Sequence, residues 1–170
     1  MPVRPPINFK IWIEDNRHLL KPPVGNQMVY KDGDFMIIVV GGPNTRKDYH
    51  VDTVEEFFYQ LEGDMVLKIM DRGERVDIPI KEGEILLLPP TVPHSPQRYE
   101  NTVGLVVERK RTEGELDGFL WFCENCDNKL YGEYLAITDI VGQLPPIFER
   151  YYSSEDNRTC NKCGEVMAAE

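Results

Sequence analysis

Short hydrophobic runs alternate with turn-forming residues through the middle of the sequence, as far as about residue 110. Most runs are followed by glycine, proline, asparagine or aspartate, which are the residues that favour turns. Short strands with a turn signal about every ten residues are typical of a β-sandwich or barrel. The predicted strands are 35–40, 56–61, 65–70, 76–80, 85–88 and 103–107.

Apolar residues near the start of the chain repeat at a different spacing. Phe9, Trp12 and Ile13 follow the 3.6-residue period of a helix. Asn8 is a residue type that suits the N-cap of such a helix. The pattern predicts a helix over 8–20, ended by the proline and glycine of the segment 21–26.

The pattern changes after Thr112, where two CxxC pairs flank a segment with partly helical spacing. The segments 135–144 and 146–152 are predicted to be helical, with Pro146 at the first helical position. The sequence therefore predicts one compact, mostly β domain. Residues 1–112 are predicted to form its barrel core and N-terminal helix. Residues 113–170 are predicted to form a small helical extension that is held together by a bound metal ion.

Composition narrows the possible partners. The chain has 170 residues, a formal net charge of −10 and a pI near 4.8. Nucleic acids and anionic membranes need a basic footprint, so neither partner is expected. No apolar run suits a signal peptide in Met1–Lys10 or a membrane span elsewhere. A cytoplasmic location is expected, where thiols stay reduced and paired cysteines favour metal over disulfide.

Two of the three histidines lie in a setting that suggests a metal site. His50 and Glu56 are an even number of residues apart, so both can face one side of a strand. His94 follows the predicted strand that ends in a proline pair. Two imidazoles and a carboxylate form the triad that holds Fe(II) and leaves coordination positions open. His18 is expected to be a surface or helix-end histidine, and purely structural histidines at 50 and 94 are the alternative.

Charged residues near these ligands suggest an anionic substrate. Arg46 lies four residues before His50, and Arg98 lies four residues after His94. Arginine binds carboxylates through two parallel hydrogen bonds, so the pair suggests a site for a carboxylate. Glu108 could accept hydrogen bonds from an amino or hydroxyl group of the substrate. The alternative for each residue is a solvated surface charge.

The four cysteines of the chain form two CxxC pairs. Four thiolates satisfy Zn²⁺ or a single iron ion tetrahedrally and leave no position open. The sequence therefore predicts a second metal, Fe or Zn, in a structural or iron-storage role, and a redox CxxC is the alternative. The predicted ligands are Cys123, Cys126, Cys160 and Cys163.

The histidine segments resemble the two motifs of the cupin superfamily. His50, Glu56 and Gly63 have the spacing of the first motif, and Gly83, Pro89 and His94 have that of the second. Asp52 stands where many cupins have another histidine. This indicates a site with three protein ligands in which Asp52 does not bind the metal. Thr91 replaces a common glycine, and Arg98 replaces a common asparagine. The resemblance implies a jelly-roll barrel.

Longer segments resemble one cupin family, the 3-hydroxyanthranilate 3,4-dioxygenases, from Ile7 to Gly164. The cysteine tail is similar to that of its bacterial and fungal branch; animal relatives lack it, which implies that catalysis does not need it. The matching segments are LKPPVGN (20–26), VGGPNTRKDYH (40–50), EEFFYQ (55–60), LLPP (87–90), PHSPQR (93–98), the Glu-Arg pair at 108–109 and the four cysteines.

The resemblance implies a specific reaction. This family opens the ring of 3-hydroxyanthranilate with O2 to give 2-amino-3-carboxymuconate semialdehyde. That product closes to quinolinate, a precursor of NAD in the kynurenine pathway. The residues implied are His50, Glu56 and His94 for Fe(II), Arg46 and Arg98 for the substrate carboxylate, Glu108 for the amino side of the ring and its proton, and Asn26 on a loop that closes the site.

Two other functions remain open from the sequence. One is a cupin dioxygenase that acts on a small thiol or another acid. The other is a cupin without catalytic activity that binds a small aromatic acid or senses metal. Cupins often pair, so a homodimer is expected.

Overall fold

Strands make up most of the regular structure. The computed structural model of the protein describes residues 3–22, 25–138 and 140–169. Three helices occur in these ranges, α1 (Phe9–Asn16), α2 (Ile140–Tyr152) and α3 (Glu155–Arg158), and a 3₁₀ turn at Arg17–Leu19 follows α1. The strands are β1 (Asn26–Met28), β2 (Phe35–Gly41), β3 (Tyr49–Val51), β4 (Glu56–Glu62), β5 (Met65–Asp71), β6 (Glu74–Ile80), β7 (Ile85–Leu88), β8 (His94–Arg98), β9 (Val103–Arg109), β10 (Asp117–Phe122) and β11 (Lys129–Leu135).

The strands form two sheets in which every recorded pairing is antiparallel. One sheet has the order β1-β2-β9-β4-β7, and the other has the order β11-β10-β3-β8-β5-β6. Alternate side chains of both sheets point inward, so they enclose an apolar core. This confirms the predicted mostly β fold. The buried core residues are Phe58, Met65, Leu67, Ile80, Leu88 and Val106.

The N-terminal helix is confirmed, although its regular part is shorter than predicted. The side chain of Asn8 accepts a hydrogen bond from the backbone N–H of Ile11 at 3.2 Å, as an N-cap residue does. Ile13 packs with Leu20 and Val39, which fixes the helix against the first sheet. Pro23 and Val24, from the segment predicted to end the helix, lie outside the described residues.

The C-terminal region contains more strand than predicted. Strand β10 pairs with β3, and β11 pairs with β10, so both extend the second sheet. The division at residue 112 stays a prediction. In the described part of the chain, no helix is both long and apolar enough to cross a membrane.

The predicted helical segments 135–144 and 146–152 are helical over Ile140–Tyr152, which form the single helix α2. The predicted start at residue 135 and the placing of Pro146 at a first helical position were wrong. The strand β11 continues to Leu135, and the following helix begins at Ile140, so Pro145 and Pro146 lie inside it. Proline inside a helix carries a local penalty. Packing of Ile147 and other apolar residues of α2 on Trp121 outweighs that penalty.

Candidate metal centre and substrate cavity

The two sheets bring His50, Glu56 and His94 together. His50 on β3 lies directly opposite His94 on β8, and the centroids of their rings are 5.3 Å apart. Glu56 opens β4 in the other sheet, and its Oε2 lies 2.8 Å from Nε2 of His94. One donor atom from each of the three residues lies within 4.8 Å of the others. Residues distant in sequence thus form one buried group.

The hydrogen bonding of His94 shows that this group suits a cation. Its Nδ1 lies 3.0 Å from the carbonyl oxygen of Val92, which can only accept, so Nδ1 carries the proton. In the neutral ring, Nε2 then presents a lone pair to Glu56. Oε2 of Glu56 is buried and accepts no hydrogen bond from any described residue. A buried imidazole nitrogen and a buried carboxylate oxygen 2.8 Å apart, with a donor atom of His50 within 4.8 Å, form a donor set that suits a metal ion.

Asp52 has other partners. Its Oδ1 accepts from the backbone N–H of Val54 at 3.1 Å, and its Oδ2 accepts from Arg111 at 3.1 Å. Its distance to Nδ1 of His50 is 3.9 Å. These bonds support the prediction that Asp52 is not a metal ligand.

Arg98 is a buried cation with no carboxylate partner in the described ranges. Its residue exposure is 4%, its Nη1 donates to Oε1 of Gln60 at 3.1 Å, and its Nε has no acceptor. Burial lowers the pKa of Arg98 to about 10, and the charge of Glu56 opposes that shift. A Cβ atom on Gly104 would lie 2.4 Å from Nη1, so this glycine leaves room for the guanidinium. An anionic ligand would offset the energy of this isolated charge.

The backbone just before Arg46 pairs with that of Arg98, but the guanidinium of Arg46 is already paired with Asp48. Asn44 and Arg98 exchange two backbone hydrogen bonds of 2.9 and 2.8 Å. The guanidinium of Arg46 contacts both oxygens of Asp48, with Nε to Oδ1 at 2.9 Å. Burial lowers the pKa of Arg46, but Asp48 more than offsets this, so the net pKa is raised. To bind a substrate carboxylate, Arg46 has to share its donors with Asp48.

Glu108 is buried beside the metal group. Burial and the charge of Glu56 raise its pKa to about 7, while Arg111 opposes the shift. Glu108 contacts Nη1 of Arg111, and Arg111 also donates to Asp117. The sequence prediction missed Arg111 and Asp117. Arg111 lies only three residues after Glu108, whereas the contact of Asp117 with His50 depends on the pairing of β10 with β3.

Asn26 and His18 lie outside this group of side chains. Asn26 was predicted to lie in a loop, but it opens β1, pairs with Val40 and is exposed. The loop prediction was therefore wrong, because β1 extends the edge of the first sheet. His18 is exposed in the 3₁₀ turn, which agrees with a surface role.

The four cysteines come together at the other end of β10. Sγ of Cys123 lies 3.6 Å from that of Cys163, and the same distance separates Cys126 from Cys160. All four are free thiols whose sulfurs lie within 4.8 Å of one another. A tetrahedral site with metal–sulfur bonds of ~2.3 Å has sulfur–sulfur distances of about 3.8 Å. The geometry therefore fits a four-thiolate metal site.

Comparisons with known proteins identify relatives of the chain. The family model described as 3-hydroxyanthranilic acid dioxygenase matches residues 1–152 of the chain. A 3-hydroxyanthranilate 3,4-dioxygenase of Jannaschia sp. (strain CCS1) is 61% identical over 160 residues, covering 94% of this chain and 89% of the relative. Its counterpart in Xanthomonas euvesicatoria pv. vesicatoria is 54% identical over 165 residues, covering 97% and 93%.

Among solved structures, the chain is similar to a cupin-2 domain protein from Shewanella frigidimarina. The TM-score is 0.49 at 20% identity, over 61% of this chain and 94% of that one. The extent of the family match and the identity to the curated relatives show that the chain belongs to the 3-hydroxyanthranilic acid dioxygenase family.

Proposed function

We propose that the chain is a non-haem Fe(II) dioxygenase that opens the ring of 3-hydroxyanthranilate with O2. The product would be 2-amino-3-carboxymuconate semialdehyde, the precursor of quinolinate and NAD. The observation that carries this proposal is the buried guanidinium of Arg98, which has no carboxylate partner among the described residues and lies in the same barrel as the His50-Glu56-His94 group. Curated relatives with this enzyme name cover nearly the whole chain.

The catalytic metal is assigned to His50, Glu56 and His94. Their donor set of two imidazoles and one carboxylate suits Fe(II). When bound, Fe(II) supplies open coordination positions and an electronic link between the ring and O2. Burial of Glu56 and His94 keeps bulk water from these donor atoms.

The substrate is held by groups that match its polar edges. Arg98, with Arg46, binds the carboxylate and fixes the orientation of the ring, which lowers the entropic part of the barrier. Glu108 accepts a hydrogen bond from the amino side of the ring and receives a proton at its carboxylate. A group with a pKa near neutrality is suited to both accepting and releasing a proton. Asn26 is assigned to the edge of the cavity from the family motif.

Substitution of Arg46 by alanine is expected to weaken substrate binding. A hydrogen bond to a charged group contributes ~1.5–3 kcal/mol, so KM should rise about 10-fold to 100-fold. Steady-state kinetics with 3-hydroxyanthranilate provide the measurement. Arg109→Ala is the matched control, because Arg109 pairs with Glu115 near the surface. An unchanged KM in Arg46→Ala would count against the carboxylate role.

The reaction itself can be tested with the purified chain. The protein is loaded anaerobically with Fe(II), mixed with 3-hydroxyanthranilate and exposed to air, and the absorbance of the semialdehyde is followed. Absence of product at full iron loading would refute the proposal and favour a binding protein. Turnover of a small thiol instead would favour a different cupin dioxygenase.

The second metal is assigned to the four cysteines as Fe or Zn. Cys163→Ser is expected to remove about one metal equivalent per chain and to lower Tm, because one thiolate of the tetrahedral set is lost. Elemental analysis and thermal melts give the readout, with Lys162→Ser as the control at the exposed neighbouring position. Full metal content in Cys163→Ser would contradict the assignment.

A cytoplasmic homodimer completes the proposal. Free cysteines suit a reducing compartment. The strand register places Phe35, Ile85 and Leu87 on the outer face of the first sheet, and all three are exposed. Exposed apolar patches of this kind mark protein interfaces, and a second copy of the chain would cover this one. Light scattering of the wild type and of Leu87→Lys tests the assembly.

A further inference from the structure

Gln60 is a buried polar residue to which the proposed function assigns no role. It lies on β4, four residues after Glu56, and is 1% exposed. Because the side chains of a strand alternate between its two faces, Gln60 projects from the same face as Glu56, toward the interior of the barrel. Its Oε1 accepts a hydrogen bond from Nη1 of Arg98 at 3.1 Å. Gln60 therefore holds the cation that the proposed function assigns to the substrate carboxylate.

The surroundings of Gln60 fix which end of its amide faces Arg98. Its Nε2 donates to the backbone carbonyl of Glu62 at 3.1 Å, and a carbonyl can only accept. The guanidinium can only donate, so it requires the amide oxygen on its side. A flipped amide would lose both hydrogen bonds. The backbone of Gln60 is held as well, because its N–H donates to Glu84 at 3.0 Å and its carbonyl accepts from Gly83 at 2.8 Å.

Strand β9 leaves the space that this contact needs. Gln60 pairs with Gly104, and the next recorded pair is Glu62 with Val103, so β4 has one extra residue in a bulge at this point. A Cβ atom on Gly104 would lie 2.4 Å from Nη1 of Arg98 and 2.9 Å from Oε1 of Gln60. A larger residue at 104 would therefore push the two groups apart.

A neutral acceptor restrains a guanidinium without cancelling its charge. The amide oxygen of Gln60 satisfies one of the five N–H donors of Arg98. A carboxylate in the same place would form a buried ion pair, and the positive charge would then attract a second anion only weakly. Glu62, two residues along the strand, does not take that place, because its carboxylate contacts Arg17 at 2.9 Å. The charge of Arg98 is thus left for a ligand.

We propose that Gln60 is a positioning residue that holds Arg98 without neutralising it, so that the site selects an aromatic ring with a carboxylate over the same ring without one. The inference rests on the proposed function, because it takes Arg98 as the group that binds the substrate carboxylate. The matched ligands are 3-hydroxyanthranilate and 2-aminophenol, which differ only in that carboxylate. The wild type is expected to bind 3-hydroxyanthranilate more tightly than 2-aminophenol.

Gln60→Glu changes the charge of the acceptor and keeps its shape. The new carboxylate would pair with Arg98 and compete with the ligand. The affinity for 3-hydroxyanthranilate should therefore fall about 10-fold to 100-fold, as for the loss of a hydrogen bond to a charged group. The affinity for 2-aminophenol should stay at the wild-type value. Asn101→Asp is the matched control, because it adds the same charge in an exposed turn three residues after Arg98.

Gln60→Met removes the acceptor and adds no charge. Arg98 would lose its restraint, and ordering it again should cost the carboxylate ligand about 2-fold to 10-fold in affinity. In an Arg98→Met background the same substitution should have no further effect, because Gln60 acts through Arg98. This second variant is needed because the other oxygen of Gln60→Glu would face the carbonyl of Glu62, which could impair folding.

Calorimetry on the Fe(II)-loaded protein without O2 gives the dissociation constants, and a thermal melt of each variant records its folding. A folded Gln60→Glu variant that keeps the wild-type ratio of the two affinities would overturn the inference. Additive effects of Gln60→Met and Arg98→Met would also overturn it, and this cycle decides the question if Gln60→Glu does not fold.

The experiment separates the inference from the proposed function. Turnover of 3-hydroxyanthranilate with an unchanged affinity ratio in both Gln60 variants would refute the inference and leave the proposed function intact. The predicted loss of selectivity in a protein that fails to turn over 3-hydroxyanthranilate would do the reverse.

Discussion

Substitution of Glu56 by alanine is expected to abolish iron loading at the catalytic centre. Glu56 supplies the only carboxylate of the proposed triad, and the contact of its Oε2 with His94 lies within that triad. Loss of a group that merely supports a ligand costs about 10-fold to 100-fold in metal affinity. Loss of the ligand itself should cost more, and dioxygenase activity should fall to background.

The measurement needs a background in which only one site can hold iron. Cys163→Ser removes the proposed four-thiolate site, so iron per chain then reports the catalytic centre alone. Glu55→Ala is the matched control, because Glu55 is the exposed neighbour of Glu56. Full iron occupancy in the Glu56 variant, with Glu55→Ala unchanged, would refute the assignment of Glu56 as a ligand.

Substitution of Arg98 by methionine is expected to lower kcat/KM strongly without loss of stability. The guanidinium is buried with no carboxylate partner among the described residues and one hydrogen bond to Gln60, so an apolar side chain of similar length should change Tm little. Loss of a buried partner for a carboxylate costs ~2–5 kcal/mol in binding. We therefore expect kcat/KM to fall about 30-fold to 1000-fold or more, mainly through KM.

Arg75→Met gives the contrasting control. Arg75 donates to the carbonyl of Cys123 and contacts Asp127, both at 3.1 Å, so its loss should lower Tm while kcat/KM is retained. The two variants together separate a binding role from a structural one. A drop in Tm for Arg98→Met with unchanged KM would show that Arg98 serves the fold and not the substrate.

The sequence predicted the parts of the fold that have a strong local pattern. Each of the six hydrophobic runs became a strand, because alternating or continuous apolar residues bury well in a two-sheet core. The strands β3 and β8 were not predicted. The sequence of β8 is HSPQR, which has no strand pattern, and it is extended because β5 and β3 pair with it on both sides.

The candidate site was predictable where its residues fall in motifs. His50, Glu56 and His94 could be found from their spacing, and the structure places them together. Arg111 and Asp117 could not be found in this way. The contact of Asp117 with His50 spans 67 residues and exists only because β10 pairs with β3. No local signal in the sequence specifies that pairing.

Strand β10 has a practical consequence for experiments on either metal. It begins at Asp117, beside His50, and Cys123 follows its last residue, so the surroundings of the two proposed centres are six positions apart in the sequence. A substitution that frays this strand would disturb both proposed metal sites at once. A fall in activity after a change near the cysteines is therefore informative only when the metal content of each centre has been counted separately in the same sample.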